Sequence, residues 1–167
     1  GVANASGSAF KWFKEEFCNS ANETAIGLKE SVYDMLTRIA DRSSRAGANG
    51  LFFLPYLAGA VTPNQNPNAR GTYIGMTVGH TKTDFVRATM EGVCFDIKDM
   101  LEAMIEGGAA PFDTVRLTGG IFRSEVWCQM QADIFNRTCE VVAVEEATSL
   151  GCAMIAAVGA GIYKDLE

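Results

Sequence analysis

The chain has a single histidine, His80, and none of its five cysteines stands in a CxxC pair. Zinc ligation of the usual Cys/His kind is thereby disfavoured. The cysteines (Cys18, Cys94, Cys128, Cys139 and Cys152) are odd in number and scattered through apolar stretches. That usage fits reduced, mostly buried thiols and a cytoplasmic setting. No run of 18 apolar residues occurs, so no membrane span is expected. There is no block of basic residues, and the 14 Lys and Arg are outnumbered by 20 Asp and Glu, for a net charge of −6. Nothing here favours nucleic acid or an anionic membrane. A phosphorylated ligand would have to be held locally, by backbone N–H groups or a metal ion. Internal repeats and low-complexity segments are also missing. The chain starts at Gly1 without a Met or a targeting segment, as a fragment or processed product would.

What is present is ordinary for one soluble globular domain. Its 167 residues are 48% hydrophobic and 20% charged, enough to bury a core. Residues 9–17 read as a helix with Phe10, Phe13 and Phe17 on one face. Residues 18–28 are polar and predict a loop. Ser31 opens a second helix, carried by Val32, Met35, Leu36, Ile39 and Ala40 and ended by Gly47 and Gly50. Residues 51–54, closed by Pro55, predict a buried strand, and residues 72–78 another strand after a long Gly/Pro/Asn-rich loop. Thr81 and Asp84 form a capping box at the start of the longest helix. Along it, Val86, Met90, Val93, Ile97, Leu101 and Met104 recur at helical spacing until Gly107-Gly108. The remainder alternates: a strand over 113–118, a helix over 125–135, a strand over 140–144, and a small-residue helix over 148–160 suited to packing on a sheet. The class is α/β.

The most informative stretch is Leu117-Thr118-Gly119-Gly120, followed by Ser124 and a helix. Adjacent glycines let a flat ligand approach the backbone without a Cβ in the way. The helix start adds free N–H groups and the positive end of its dipole. Strand, glycine turn and helix together suit a nucleotide. The GxGxxG spacing of a dinucleotide-binding fold is not there.

Several motifs resemble, in order and spacing, the C-terminal domain of the FGGY family of carbohydrate kinases. They are Phe53-Leu54-Pro55-Tyr56-Leu57-Ala58-Gly59, Thr62-Pro63, Asn66 to Gly71, Arg87 to Val93, Thr118-Gly119-Gly120, Trp127, Ala132-Asp133 and Leu150-Gly151-Cys152-Ala153. The Leu-Pro-Tyr-Leu form is most similar to xylulose kinases, with gluconate and other polyol kinases next. The resemblance implies a ribonuclease H-like, actin-like ATPase domain, the C-terminal half of a two-domain sugar kinase. Such a kinase transfers the γ-phosphoryl of ATP, with Mg2+, to a sugar hydroxyl, here that of a pentulose such as xylulose. The resemblance places the general base and the phosphate loop in an N-terminal domain with no counterpart here. Residues 1–167 are therefore expected to be a C-terminal domain trimmed at its N-terminal edge, inactive alone and with no catalytic or metal-binding residue of its own. Its expected partners are nucleotide, sugar and the N-terminal domain, with a homodimer left open.

By the same resemblance, Gly120 and Ser124 hold the adenine end of ATP next to Gly119, and Gly7 and Lys11 supply a second contact. Many relatives carry Asn at the Ser124 position and a neutral amide at that of Lys11, so Lys11 could instead draw a phosphate. Other polar residues have plainer readings. His80 is a helix-start or domain-contact residue, and Asp84 a cap. Asp96 and Asp99 lie on a surface helix, Arg70 pins its loop through carbonyls, and Asp133 fixes local packing with Gln129. Arg87 and Glu91 form a surface pair worth ~0.3–0.5 kcal/mol. The competing class is a non-catalytic actin-like nucleotide-binding or assembly module.

Overall fold

The computed structural model describes residues 6–119, 124–144 and 146–165. Its order is α1 (Ser6–Phe17), α2 (Asn19–Leu28), α3 (Val32–Ser43), β1 (Phe52–Leu54), β2 (Thr72–Ile74), α4 (Lys82–Glu106), β3 (Thr114–Leu117), α5 (Glu125–Phe135), β4 (Thr138–Val141) and α6 (Ala147–Gly159). The 25-residue helix α4 is the spine, with α1, α3, α5 and β1 packed around it. Val86, Met90 and Val93 are buried, as their spacing requires. Met104 is 45% exposed, so the apolar stripe outruns the core. The helix opens on the expected capping box: the Thr81 N–H donates to the Asp84 carboxylate over 2.8 Å.

Two small sheets flank this spine. β1 and β2 pair antiparallel, with Phe53 opposite Tyr73. Only Phe53 of β1 is buried, stacked on Tyr73 at 4.5 Å; Phe52 and Leu54 face outward, which corrects the reading of a buried strand. β2 stops at Ile74 rather than running to residue 78, because Gly75 turns at φ +89 against the Gly50 carbonyl. β3 and β4 run parallel, Thr114 opposite Thr138 through Leu117 opposite Val141, with α5 as the crossover. β4 thus begins two residues before the expected strand and ends at Val141, where β3 has no residue left to pair.

Three other expectations are corrected. The predicted loop over 18–28 is helix α2. It buries only the narrow stripe of Ala21 and Ala25, too small to register as apolar periodicity. Lys29 and Glu30 then close it by donating N–H groups to Ile26 and Ala25. Helix α3 ends at Ser43, before Gly47 and Gly50, because Ser44 turns out to give its hydroxyl to Asp84 at 2.7 Å. Helix α6 does not pack on a sheet: Leu150 and Ile155 are exposed, since β3 and β4 make a sheet only two strands wide. Of the cysteines, Cys18 and Cys94 are buried, Cys128 and Cys139 half-buried, and Cys152 exposed.

The pair of Arg87 and Glu91 is not on the surface. Both side chains are nearly buried and meet at 2.7 Å. Glu91 also accepts the Gly47 N–H at 3.0 Å, and Arg87 donates to the Ser44 carbonyl at 3.2 Å. One turn earlier, Asp84 is 3% exposed and accepts from Ser44, Asn49 and both the N–H and hydroxyl of Thr81. The segment 44–50 is thereby tied to the first turns of α4.

Burial pulls the Asp84 carboxyl up, but its hydrogen bonds with Thr81, Ser44 and Asn49 outweigh this and hold it down at about 2. A carboxyl lowered in the folded state stabilises the fold above its unfolded value near ~3.9 and stops doing so as pH falls to its folded value. Urea unfolding should therefore show about 2 kcal/mol of stability lost between pH 4 and pH 2, and Asp84→Asn should flatten that part of the profile.

Helix α4 meets β1 backbone-to-backbone at Gly92, where a Cβ would overlap the Phe53 carbonyl oxygen. Gly92→Ala gains ~1 kcal/mol of helix propensity. The overlap should still win, for a net loss of roughly 1–2 kcal/mol in chemical denaturation.

Candidate functional site

Three of the five residues expected at a ligand site meet in one place. Gly7 and Lys11 lie on the first turns of α1, and Ser124 immediately precedes α5. With Tyr33, Asp34, Thr37 and Trp127 they line a cavity of about 610 Å³. The volume lies within the range typical of small-molecule sites. Gly119 lies two residues beyond β3 at φ +110, a conformation that glycine adopts without strain, but it does not line this cavity. Gly120 lies outside the described residues.

The walls are built from the core outward. Trp127 is buried on α5, its indole N–H donating to the Cys94 sulfur of α4 at 3.3 Å. Burial pushes the Cys94 thiol up to about 12, which keeps it neutral and unreactive. Phe10 meets the Trp127 ring edge-on at 4.9 Å and lies 6.0 Å from Tyr33. Lys14 sits over the other aromatic system, 4.7 Å from the centre of the Tyr33 ring.

The polar groups come from α3 and the start of α5. Ser124 is the N-cap of α5 and accepts the Trp127 N–H at 3.4 Å. Its hydroxyl donates to Thr37 at 3.2 Å, and Thr37 donates onward to the Asp34 carbonyl at 3.1 Å. Lys11 is exposed, with its ammonium 4.0 Å from Glu15, so its charge remains available to a ligand. The cavity thus joins aromatic side chains, a chain of hydroxyls, one carboxylate and one exposed cation.

Sequence reading missed the contribution of α3. Ser31, Tyr33, Asp34 and Thr37 all line the cavity, yet the helix registers only through its apolar face. A signal existed in Thr37: a polar residue sits, 3% exposed, beside the core positions Leu36 and Ala40. The readings of Arg70, Asp133 and His80 hold geometrically, whereas Asp96 and Asp99 lie not on a surface helix but on the central α4, which α1, α3, α5 and β1 surround, with Asp96 half-buried and Asp99 exposed. Arg70 donates to the carbonyls of Pro67 and Ala69, Gln129 donates to Asp133 at 2.7 Å, and His80 bonds to the Thr77 N–H and the Asn49 carbonyl. Among the described residues no group of three or more His, Cys, Asp and Glu side chains could hold a metal ion. No described helix is long and apolar enough to cross a membrane.

Residues 1–160 match the signature of the FGGY family of carbohydrate kinases, C-terminal domain. The chain belongs to that family. It is similar to a gluconokinase of Bacillus subtilis (strain 168), 40% identical over 155 residues, covering 93% of this chain and 30% of that protein. It is 38% identical over 167 residues to a xylulose kinase of Staphylococcus epidermidis (strain ATCC 35984 / DSM 28319 / BCRC 17069 / CCUG 31568 / BM 3577 / RP62A), covering all of this chain and 31% of the relative. A crystal structure of ligand-bound xylulose kinase from Lactobacillus acidophilus superposes with a TM-score of 0.76 at 29% identity, over 96% of this chain and 30% of that one. The fold is accordingly that of the actin-like ATPase sugar kinases. The chain spans about 30% of the length of the curated relatives it matches.

Ser124 serves the helix as well as the cavity. Ser124→Ala should cost about 1 kcal/mol of stability and lower Tm by roughly 2–4 °C, while Ser124→Gly should cost less, as read by thermal melts.

Proposed function

We propose that this FGGY kinase domain binds ATP through the cavity between α1, α3 and α5, and serves a kinase that phosphorylates a sugar or polyol hydroxyl. The observation that carries the reading is the meeting of Gly7, Lys11 and Ser124, 117 residues apart in sequence at the extremes, around a single cavity. Its composition fits an adenosine moiety. Tyr33 offers an exposed aromatic face to a purine, backed by the buried rings of Phe10 and Trp127, and Ser124, Thr37 and Ser31 offer hydroxyls to its ring nitrogens or ribose. Lys11, at the exposed side, supplies a positive charge for a phosphate.

When bound, ATP supplies the γ-phosphoryl group for transfer. The residues of this chain bind and orient its nucleoside end, which contributes positioning to phosphoryl transfer. We assign none of the described residues to magnesium. We place the base, the sugar contacts and the phosphate loop outside these 167 residues. The substrate we favour is a pentulose or gluconate, since xylulose kinases and gluconokinases both stand among the relatives.

Titration of this chain with ADP, followed by NMR, tests the reading. Binding should saturate in the high micromolar range or weaker and shift Gly7, Lys11, Tyr33 and Ser124. Ser124→Ala should weaken it by roughly 5–10-fold, or about 1–1.4 kcal/mol. Lys11→Gln should weaken ADP but leave adenosine unchanged. A folded chain with no saturable response to ADP would overturn nucleotide binding by this domain.

A further inference from the structure

A second cavity, of about 590 Å³, lies at the opposite end of α3 and shares no lining residue with the first. Asp41, Arg42, Ser43, Ser44, Arg45, Asn49 and Arg87 line it with Ala46. Seven arginines fall among the described residues. Arg38, Arg87 and Arg116 pair with carboxylates. Arg70 and Arg137 donate to backbone carbonyls. Arg42 and Arg45 alone do neither, and both line this cavity.

The neighbouring carboxylates are already engaged. Asp84 accepts from Ser44, Asn49 and Thr81. Glu91 is held by Arg87 and the Gly47 N–H. Asp41, the one acidic residue of the lining, lies 3.9 Å from Arg87. The positive charge of Arg42 and Arg45 is therefore left uncompensated in a chain whose net charge is −6. The C-terminal end of α3 favours a cation and accounts for Arg42. It does not account for Arg45, which lies beyond the helix.

Asn49, one of the lining residues, belongs to a preorganised turn. Gly47, Ala48, Asn49 and Gly50 are four consecutive left-handed residues, at φ +81, +45, +55 and +88. Two of them are not glycine, a costly arrangement that persists only where surroundings enforce it. Here Asp84 holds the Asn49 side chain at 2.7 Å and Glu91 holds the Gly47 N–H. The result is a fixed turn that presents Asn49 to the cavity that Arg42 and Arg45 also line, and each guanidinium is a planar fork that matches a phosphoryl group with paired N–H donors.

We propose that this cavity is an oxyanion site for the phosphoryl group of a small phosphorylated molecule, bound by Arg42 and Arg45 and separate from the nucleotide cavity. The volume leaves room for the body of such an ester beside its phosphate.

The test is NMR titration of this chain with inorganic phosphate and with glycerol 3-phosphate, against sodium chloride at matched ionic strength. Saturable shifts at Ser43, Arg45 and Ala46 and at the Arg42 and Arg45 side-chain N–H groups are expected. A tighter response to the ester would identify the phosphorylated molecule as the ligand class, and an equal one would reduce the site to free phosphate and overturn that part. Arg42→Gln with Arg45→Gln should weaken binding by roughly tenfold or more with the remaining spectrum unchanged, while Arg42→Lys with Arg45→Lys should retain part of it. ADP binding at Ser124 should be unaffected by the glutamine pair. Equal shifts with sodium chloride, or phosphate shifts centred on Lys11 and Ser124, would overturn the proposal.

Discussion

The buried Asp84 carboxylate is the constraint on which most of this architecture turns. It stands in the first turn of α4 yet collects hydrogen bonds from Ser44 and Asn49, some 40 and 35 residues earlier. A buried charge of this kind is tolerable only when its acceptor sites are filled. Filling them ends α3, shapes the left-handed turn and anchors α4 together. The Arg87–Glu91 pair one turn on repeats the device, and breaking it would strand a charge at a cost of roughly 3–5 kcal/mol. Polar interactions thus decide where elements stop, while the apolar face of α4 decides what they pack against.

The two cavities follow from that placement of α3. Its start faces Ser124 and the Phe10–Trp127 aromatic pair, and its end faces the turn held by α4. The first cavity is aromatic and hydroxyl-rich, and the second is arginine-rich. One helix presents both because its inner face holds the core through Met35, Leu36 and Ala40, which leaves its two ends free for polar work.

Gly92 illustrates a different kind of constraint. Ala would be the better helix former at that position, but a single methyl would collide with the Phe53 carbonyl. The close approach of α4 to β1 brings the loop after β1 beside the spine, with Arg70 held to Pro67 and Ala69 inside it.

Much was legible in the sequence alone. The capping box of Thr81 and Asp84, the span of α5 and the β-α-β-α alternation are local patterns, and local patterns need only spacing and propensity. The resemblance to the family also singles out Gly7, Lys11 and Ser124, but that they line one cavity is seen only in the fold. What the sequence by itself could not determine is what distant residues do to one another. Helix α2 was invisible because its buried stripe is two alanines. The ends of β2 and β4 depended on a glycine turn and on the length of a neighbouring strand. A pair that spacing alone assigns to the surface, Arg87 and Glu91, is buried because the segment 44–50 folds against it. Only the tertiary structure puts Thr37 beside Ser124 and Asn49 beside Asp84, because burial and hydrogen-bond satisfaction are properties of the assembled chain and not of any window along it.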